Sequence, residues 1–274
     1  HMARNADLTV ACLEVPLEEA REFGVMCIDG ERRITAFEEK PARPTPLPDK
    51  PGLALASMGI YVFKASYLVD QLMRDEADPA SSHDFGRDLI PYAVPRHRVF
   101  AHCFEDSCVV SEGGRPYWRD VGTIDAYWEA DLDLTAVIPQ LDLYDDRWPI
   151  LSLQRQLPPA KFVFDDEGRR GMAVDSLVSS GCIVSGATVR RSILFSKVRV
   201  TEGSLVEDSV LLPNVRVGRD VRLRRAVVDK HCVLPDGFRA GYQAELDRQR
   251  FHVTERGVIL ITPEMLGQHL HVVL

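Results

Sequence analysis

Between about Met172 and Arg239 aliphatic residues return at every sixth position: Ile183 and Val189; Val200, Val206 and Leu212; Val215, Val221, Val227 and Val233. A helical period is almost missing from this stretch, and β-branched residues alternate with small polar ones. A period of six is the mark of a parallel β-helix, in which each triangular coil has three six-residue faces and one aliphatic residue per face points inward. The phase slips near 193–200 and again between 212 and 215, so the repeat is imperfect. A sandwich of short strands would share the β-branched enrichment, but it needs a turn about every 8–12 residues. Gly257 to Ile261 suits a last strand that closes the helix.

The first half of the chain has a different pattern. Leu8 to Val15 and Leu55 to Phe63 read as buried strands, and Val99 to Phe104 as another. Val25 to Ile28, Asp29-Gly30 and Ile34 to Glu38 form a hairpin with an Asp-Gly turn. Pro41 to Pro51 holds five prolines and is a loop. Tyr67 to Met73 and Phe85 to Tyr92 suit short helices. Thr123 is placed to cap a further helix, on which Ile124, Tyr127, Trp128 and Leu132 recur at helical spacing. Strands alternating with helices predict an α/β sheet. The proline-rich stretch around Trp148-Pro149 and Pro158-Pro159 is a linker. The expected organisation is therefore an α/β domain over 1–139, a linker over 140–171 and a β-helix over 172–274.

With 41 Asp and Glu against 33 Lys and Arg, the net charge is −8. That balance argues against nucleic-acid and anionic-membrane partners, which need a basic face. The longest apolar stretch, Leu53 to Phe63, is eleven residues, and a membrane span needs about 20. The six cysteines show neither a CxxC pair nor a zinc spacing, which favours free thiols in a reducing cytoplasm.

Four short stretches could carry chemistry. Glu39-Lys40 ends a strand before the proline loop, where Lys40 could meet a phosphate as a point charge and Glu39 could accept hydroxyls; a solvated charge pair would look the same. Gly59, within Ser57-Met58-Gly59-Ile60-Tyr61, weakens a strand unless something approaches its backbone closely, whether a ligand or a neighbouring strand. Asp84, within Ser82-His83-Asp84-Phe85-Gly86, could bind sugar hydroxyls or cap a helix. Asp120, within Tyr117-Trp118-Arg119-Asp120-Val121-Gly122-Thr123, sits at a strand-to-helix turn and could hold Mg²⁺ or help cap the helix.

Taken in this order and followed by a hexapeptide helix, these stretches resemble the bacterial ADP-glucose pyrophosphorylase (glucose-1-phosphate adenylyltransferase) family. Phe23-Gly24-Val25-Met26, Pro158-Pro159-Ala160-Lys161-Phe162 and Val210-Leu211-Leu212-Pro213 extend the resemblance over nearly the whole chain. It implies an α/β nucleotidyltransferase with a Rossmann-like mixed sheet, followed by a left-handed parallel β-helix. The implied reaction is ATP plus glucose 1-phosphate to ADP-glucose plus pyrophosphate, with Mg²⁺, in glycogen synthesis. By the same resemblance Lys40 holds the sugar phosphate, while Gly24, Glu39, Ser57 and Asp84 surround the sugar and Gly59 allows close approach. Trp118 packs beside the site, and Asp120 is one of two metal-binding aspartates. Arg224, Arg225 and Lys230 would bind phosphorylated effectors, and the assembly would be a homotetramer.

The chain departs from this family pattern at one end. The glycine-rich triphosphate loop and the segment bearing the second metal aspartate have no counterpart, so the N-terminal half of the catalytic domain is expected to be absent. Gly113-Gly114-Arg115 looks like a surface loop, and His269 to Leu274 matches nothing in the family. Two other readings compete: a β-helix acyltransferase, disfavoured because His231 is the only histidine between 151 and 251, and a non-catalytic regulatory or assembly subunit.

Overall fold

The computed structural model describes residues 1–108, 116–153, 155–166 and 168–268. Gly113-Gly114-Arg115 and His269 to Leu274 lie outside the described residues. The chain divides into two compact units, His1–Val109 and Val110–Leu274.

The first unit is built on a five-stranded mixed sheet. Its strands are β1 (Leu8–Pro16), β2 (Gly24–Ile28), β3 (Ile34–Glu39), β4 (Leu53–Phe63) and β5 (Val99–Cys103), in the order β3-β2-β4-β1-β5. β1 runs parallel to β5 and antiparallel to β4. α1 (Ala65–Glu76) and a turn of wide helix over Phe85–Leu89 that tightens into α2 (Ile90–Ala93) complete the unit. Leu8, Val10, Met26, Ile34, Leu55, Ile90 and Val99 form its core. Tyr61 stacks on Phe85 at 5.7 Å between ring centres, and Phe63 packs on Phe85 and Tyr67, which fixes the wide turn against β4. The Asp29-Gly30 hairpin is longer than a two-residue turn. Asp29 Oδ1 accepts the Glu31 and Arg33 amides, and Arg32 rather than Gly30 takes the left-handed conformation.

The second unit is a parallel β-helix, with three sheets running along it. Its coils repeat every 16 or 17 residues: Thr188 pairs with Leu205 and Leu205 with Arg222, while Ile183 pairs with Arg199. Three even faces of six would require eighteen. One face, or two in a 16-residue coil, is therefore a residue short, and from Val200 on the inward positions run Val200, Val206, Leu211, Val217, Leu223, Val228 and Leu234. The expected inward series is correct at Val189, Val200, Val206, Val215 and Val221. It fails at Val233, which is 46% exposed, at Val227, which faces outward and is covered from outside, and at Ile183 and Leu212, where the neighbouring Val184 and Leu211 are the buried residues. Each short face advances the phase by one, so a strict six-residue count drifts onto the wrong side of the strand.

The corners explain how the coil turns so tightly. Three columns of left-handed residues stack along the helix: Asp175, Arg191, Asp208, Arg225; Lys197, Asn214, His231; and Gly186, Gly203, Asp220, Gly237. Inside one corner Ser192 accepts Ser209's amide and Ser209 accepts Ala226's, at 3.1 and 3.2 Å, so buried N–H groups left over by the turn find partners.

Near the boundaries read at 139 and 171, the structure shows what the flanking elements pack against. α3 (Ile124–Asp133) lies in the second unit, where Ile124, Tyr127, Trp128 and Leu132 cover the outer faces of Val210, Val227 and Val258. Trp128 Nε1 donates to the Asp208 carbonyl at 2.8 Å, and Asp125 accepts from Thr254 at 2.7 Å. One sheet of the helix is apolar on both sides and needs this cover. At the other boundary, Lys161–Val163 already pairs with Ile183–Ser185, so the helix begins inside the stretch read as linker. The closing strand is present as Ile259–Ile261, which pairs with Ala226–Val228.

Two predictions follow from this packing. Leu234→Ala should cost about 2–5 kcal/mol, whereas Val233→Ser next to it should stay within about 0.5 kcal/mol, as read by urea unfolding. The second concerns Asp131 on α3, whose carboxyl is pushed up to about 6 by burial, partly offset by a hydrogen bond with Tyr127. A raised acid favours the folded state only while it is protonated, so its cost is absent below pH 4 and fully present above pH 6. Asp131→Asn should leave melting unchanged at pH 4 and stabilise the protein at pH 8, by about 1 kcal/mol after solvent screening.

Candidate functional site

Six of the eight candidate active-site residues belong to the first unit, and four of them gather at one end of its sheet. Glu39 is the last residue of β3 and pairs with Gly24, the first of β2. A methyl group at Gly24 would come within 2.8 Å of Glu39 Oε2 and would overlap the Phe37 ring. One at Gly86 would overlap the same carboxylate and lie 3.3 Å from Asp84 Oδ1. Two glycines on separate segments thus make the space that Glu39 occupies. Gly86 was not singled out in the sequence beyond its place in the Ser82–Gly86 motif, and its role becomes visible only when β3 and the wide turn come together.

Asp84 heads that turn. Its Oδ1 accepts the Gly86 and Arg87 amides at 2.8 and 2.9 Å, so capping, one of the two readings of this residue, is what the structure shows. The loop ahead of it is tied down at both ends. Asp75 accepts His83 Nδ1 at 2.9 Å and Ser81 Oγ at 2.8 Å. Asp88 Oδ2 accepts the Ser82 hydroxyl and the Asp84 amide. Burial raises the Glu39 carboxyl above its ordinary range, the nearby Asp84 charge raises it further, and Lys40 and Arg87 pull it back. Lys40 itself is exposed and left-handed at φ 47°, with its amide bonded to the Phe23 carbonyl, so the chain turns sharply out of β3 at this residue.

Ser57 and Gly59 lie on β4, where pairing with β1 jumps from Val10↔Tyr61 to Cys12↔Ser57. One β1 residue therefore faces three on β4, and the strand bulges. Ser57 is buried and its Oγ accepts the Gly59 amide at 3.2 Å. Gly59 has φ 69°, and a methyl group there would meet nothing within 4 Å. The glycine thus serves the bulge, which no other residue type enters as easily; no neighbouring strand crowds it.

Trp118 and Asp120 belong to the second unit. Asp120 is exposed and its Oδ2 accepts the Gly122 amide at 3.3 Å, while Thr123 Oγ1 caps α3 through Ala126. Among the described residues no group of three or more His, Cys, Asp or Glu could hold a metal ion. A single open carboxylate still fits a hydrated Mg²⁺, which takes one or two carboxylates and completes its shell with water and substrate phosphates.

The basic residues of the helix do not share one strand. Arg224 ends the strand Arg222–Arg224, is exposed, and lies 4.0 Å from Asp208. Arg225 turns the corner over the Trp128 ring at 4.6 Å and donates to the Arg256 carbonyl. Lys230 is exposed and follows the next strand, Ala226–Val228. No described helix is long and apolar enough to cross a membrane.

The described arrangement has relatives. A family model described as nucleotidyl transferase matches residues 1–137, and one described as GlmU-like, C-terminal hexapeptide matches 158–261. A protein of Nitrosospira multiformis is 62% identical over 273 residues, all of this chain and 64% of its own length. One from Methylobacillus flagellatus is 62% identical over 271 residues, 99% of this chain and 64% of its own length. One from Dechloromonas aromatica is 59% identical over 268 residues, 98% of this chain and 61% of its own length. All three are named glucose-1-phosphate adenylyltransferase. The chain spans just under two thirds of the length of these relatives.

The geometry makes a test of the Glu39 environment possible. Asp84→Asn keeps a capping oxygen and removes the charge, so the Glu39 carboxyl should titrate closer to its ordinary value, as read by carboxyl-carbon NMR. An unchanged titration would mean that burial alone sets it.

Proposed function

The chain belongs to the nucleotidyl transferase family, and from that premise we propose that it serves the transfer its relatives are named for, making ADP-glucose and pyrophosphate from ATP and glucose 1-phosphate. The observation that carries this reading is the end of β3. An exposed lysine stands beside a carboxylate that two glycines and a capped turn hold in place. A sugar phosphate needs that pair: a cation for the phosphate and fixed acceptors for the hydroxyls.

In this mechanism a phosphate oxygen of glucose 1-phosphate attacks the α-phosphorus of ATP in line, and pyrophosphate leaves. Two polyanions must approach each other, so catalysis rests on offsetting charge and on positioning. Lys40 holds the sugar phosphate. Glu39 and the backbone at Gly24 bound the sugar, with Asp84 and Ser57 as further polar neighbours. Mg²⁺, when bound, would offset the triphosphate charge, and Asp120 would give it one carboxylate. Phosphorylated effectors would act through Arg224, Arg225 and Lys230, and the working assembly would be a cytoplasmic homotetramer formed in part through the β-helix. The second reading, a regulatory or assembly subunit without catalysis, makes Lys40 dispensable.

Lys40→Ala separates the two. Pyrophosphate release should be assayed on this chain and on one of the relatives' full length. An enzyme should show a Michaelis constant for glucose 1-phosphate raised on the order of tenfold to a hundredfold, the loss of one charge-assisted contact. Activity that persists unchanged after the substitution would overturn the role of Lys40, and a full-length chain without turnover would favour the subunit.

A further inference from the structure

β1 and β5 run side by side with Cys12 opposite Cys103 in the parallel register, and the two sulfurs stand 3.9 Å apart. Register neighbours on adjacent strands have backbones about 4.8 Å apart, inside the range that a disulfide spans. The sulfurs are already in van der Waals contact. Closing them to a bond needs a side-chain rotation of roughly 2 Å and no slip of either strand. We propose that Cys12 and Cys103 form a dithiol pair that a small-molecule disulfide oxidises to an internal disulfide.

The two thiols are not equivalent. Cys12 is fully buried, and burial together with the neighbouring Cys103 pushes its thiol far up. Cys103 is half-buried at the end of β5, and the Arg32 guanidinium interacts with both sulfurs. The entry point is therefore Cys103. Its thiolate attacks one sulfur of the small disulfide and expels the other as a thiol. Cys12 then loses its proton and attacks the Cys103 sulfur, which releases the second thiol. Two protein thiols and one disulfide become one protein disulfide and two small thiols, so hydrogens and electrons balance. The pair adjoins the bulge: Cys12 faces Cys103 on one side and Ser57 of β4 on the other. The proposal does not depend on the reaction assigned above.

The test uses a Cys27→Ser/Cys108→Ser background, which removes the two other partly exposed thiols. The protein is held with oxidised glutathione near pH 8, free thiols are blocked under denaturing conditions, and the products are mapped by mass spectrometry. The expected result is a protein two hydrogens lighter with a Cys12–Cys103 cross-linked peptide, reversed by dithiothreitol. Adding Cys12→Ser should instead leave a stable glutathionyl group on Cys103. A persistent mixed disulfide on Cys103 with Cys12 intact, or no reaction at either sulfur, would overturn the proposal.

Discussion

The second unit depends on one constraint: each coil must close on itself and present its backbone in register to the coils before and after it. Nearly every strand there is only two or three residues long, too short to persist alone. Its amides and carbonyls are satisfied because the next coil repeats 16 or 17 residues later. The corner columns of left-handed residues and the serine ladder follow from that demand. A coil can turn within one or two residues only where the backbone takes positive φ and the leftover N–H groups find hydroxyls. α3 follows from it too, since a sheet that is apolar on both sides needs an outer cover.

The first unit solves a different problem, holding a partly buried carboxylate at the end of a strand. Desolvation and the Asp84 charge both oppose ionisation of Glu39. The fold accepts this cost because the surroundings are assembled elsewhere: the hairpin supplies Gly24, and the wide turn supplies Gly86 and the capped Asp84. Asp75 and Asp88 keep the loop in shape through bonds to His83, Ser81, Ser82 and Asp84. Lys40 is left exposed at the edge of this structure, where its cation is open to an incoming anion.

Much of this was legible in the sequence. The five strands of the sheet, the capping Thr123 and the closing strand all came from apolar patterning and turn residues. The six-residue period identified the β-helix even though several of its assigned inward positions were wrong. Val233 and Val227 show why: a β-branched residue on either side of a two-sided strand looks alike in sequence, and a five-residue face shifts the count without any composition signal. The Asp-Gly dipeptide marked the hairpin, yet Arg32 took the left-handed position because Asp29 capped a longer loop.

The sequence by itself determined the two architectures, because periodicity reports which side of each element must leave water. It also picked out Glu39, Lys40 and Asp84 as candidates, because charged residues at a strand end or before a helix stand out against apolar runs; Ser57, inside a strand, entered only through the family resemblance. Only the tertiary structure decided that α3 covers the β-helix, that Lys161–Val163 joins it, that Gly24 and Gly86 enclose one carboxylate, and that Cys12 meets Cys103. Each of these is a meeting of segments far apart in the chain. Local pattern carries the burial preference of a residue but not the identity of the neighbour that buries it.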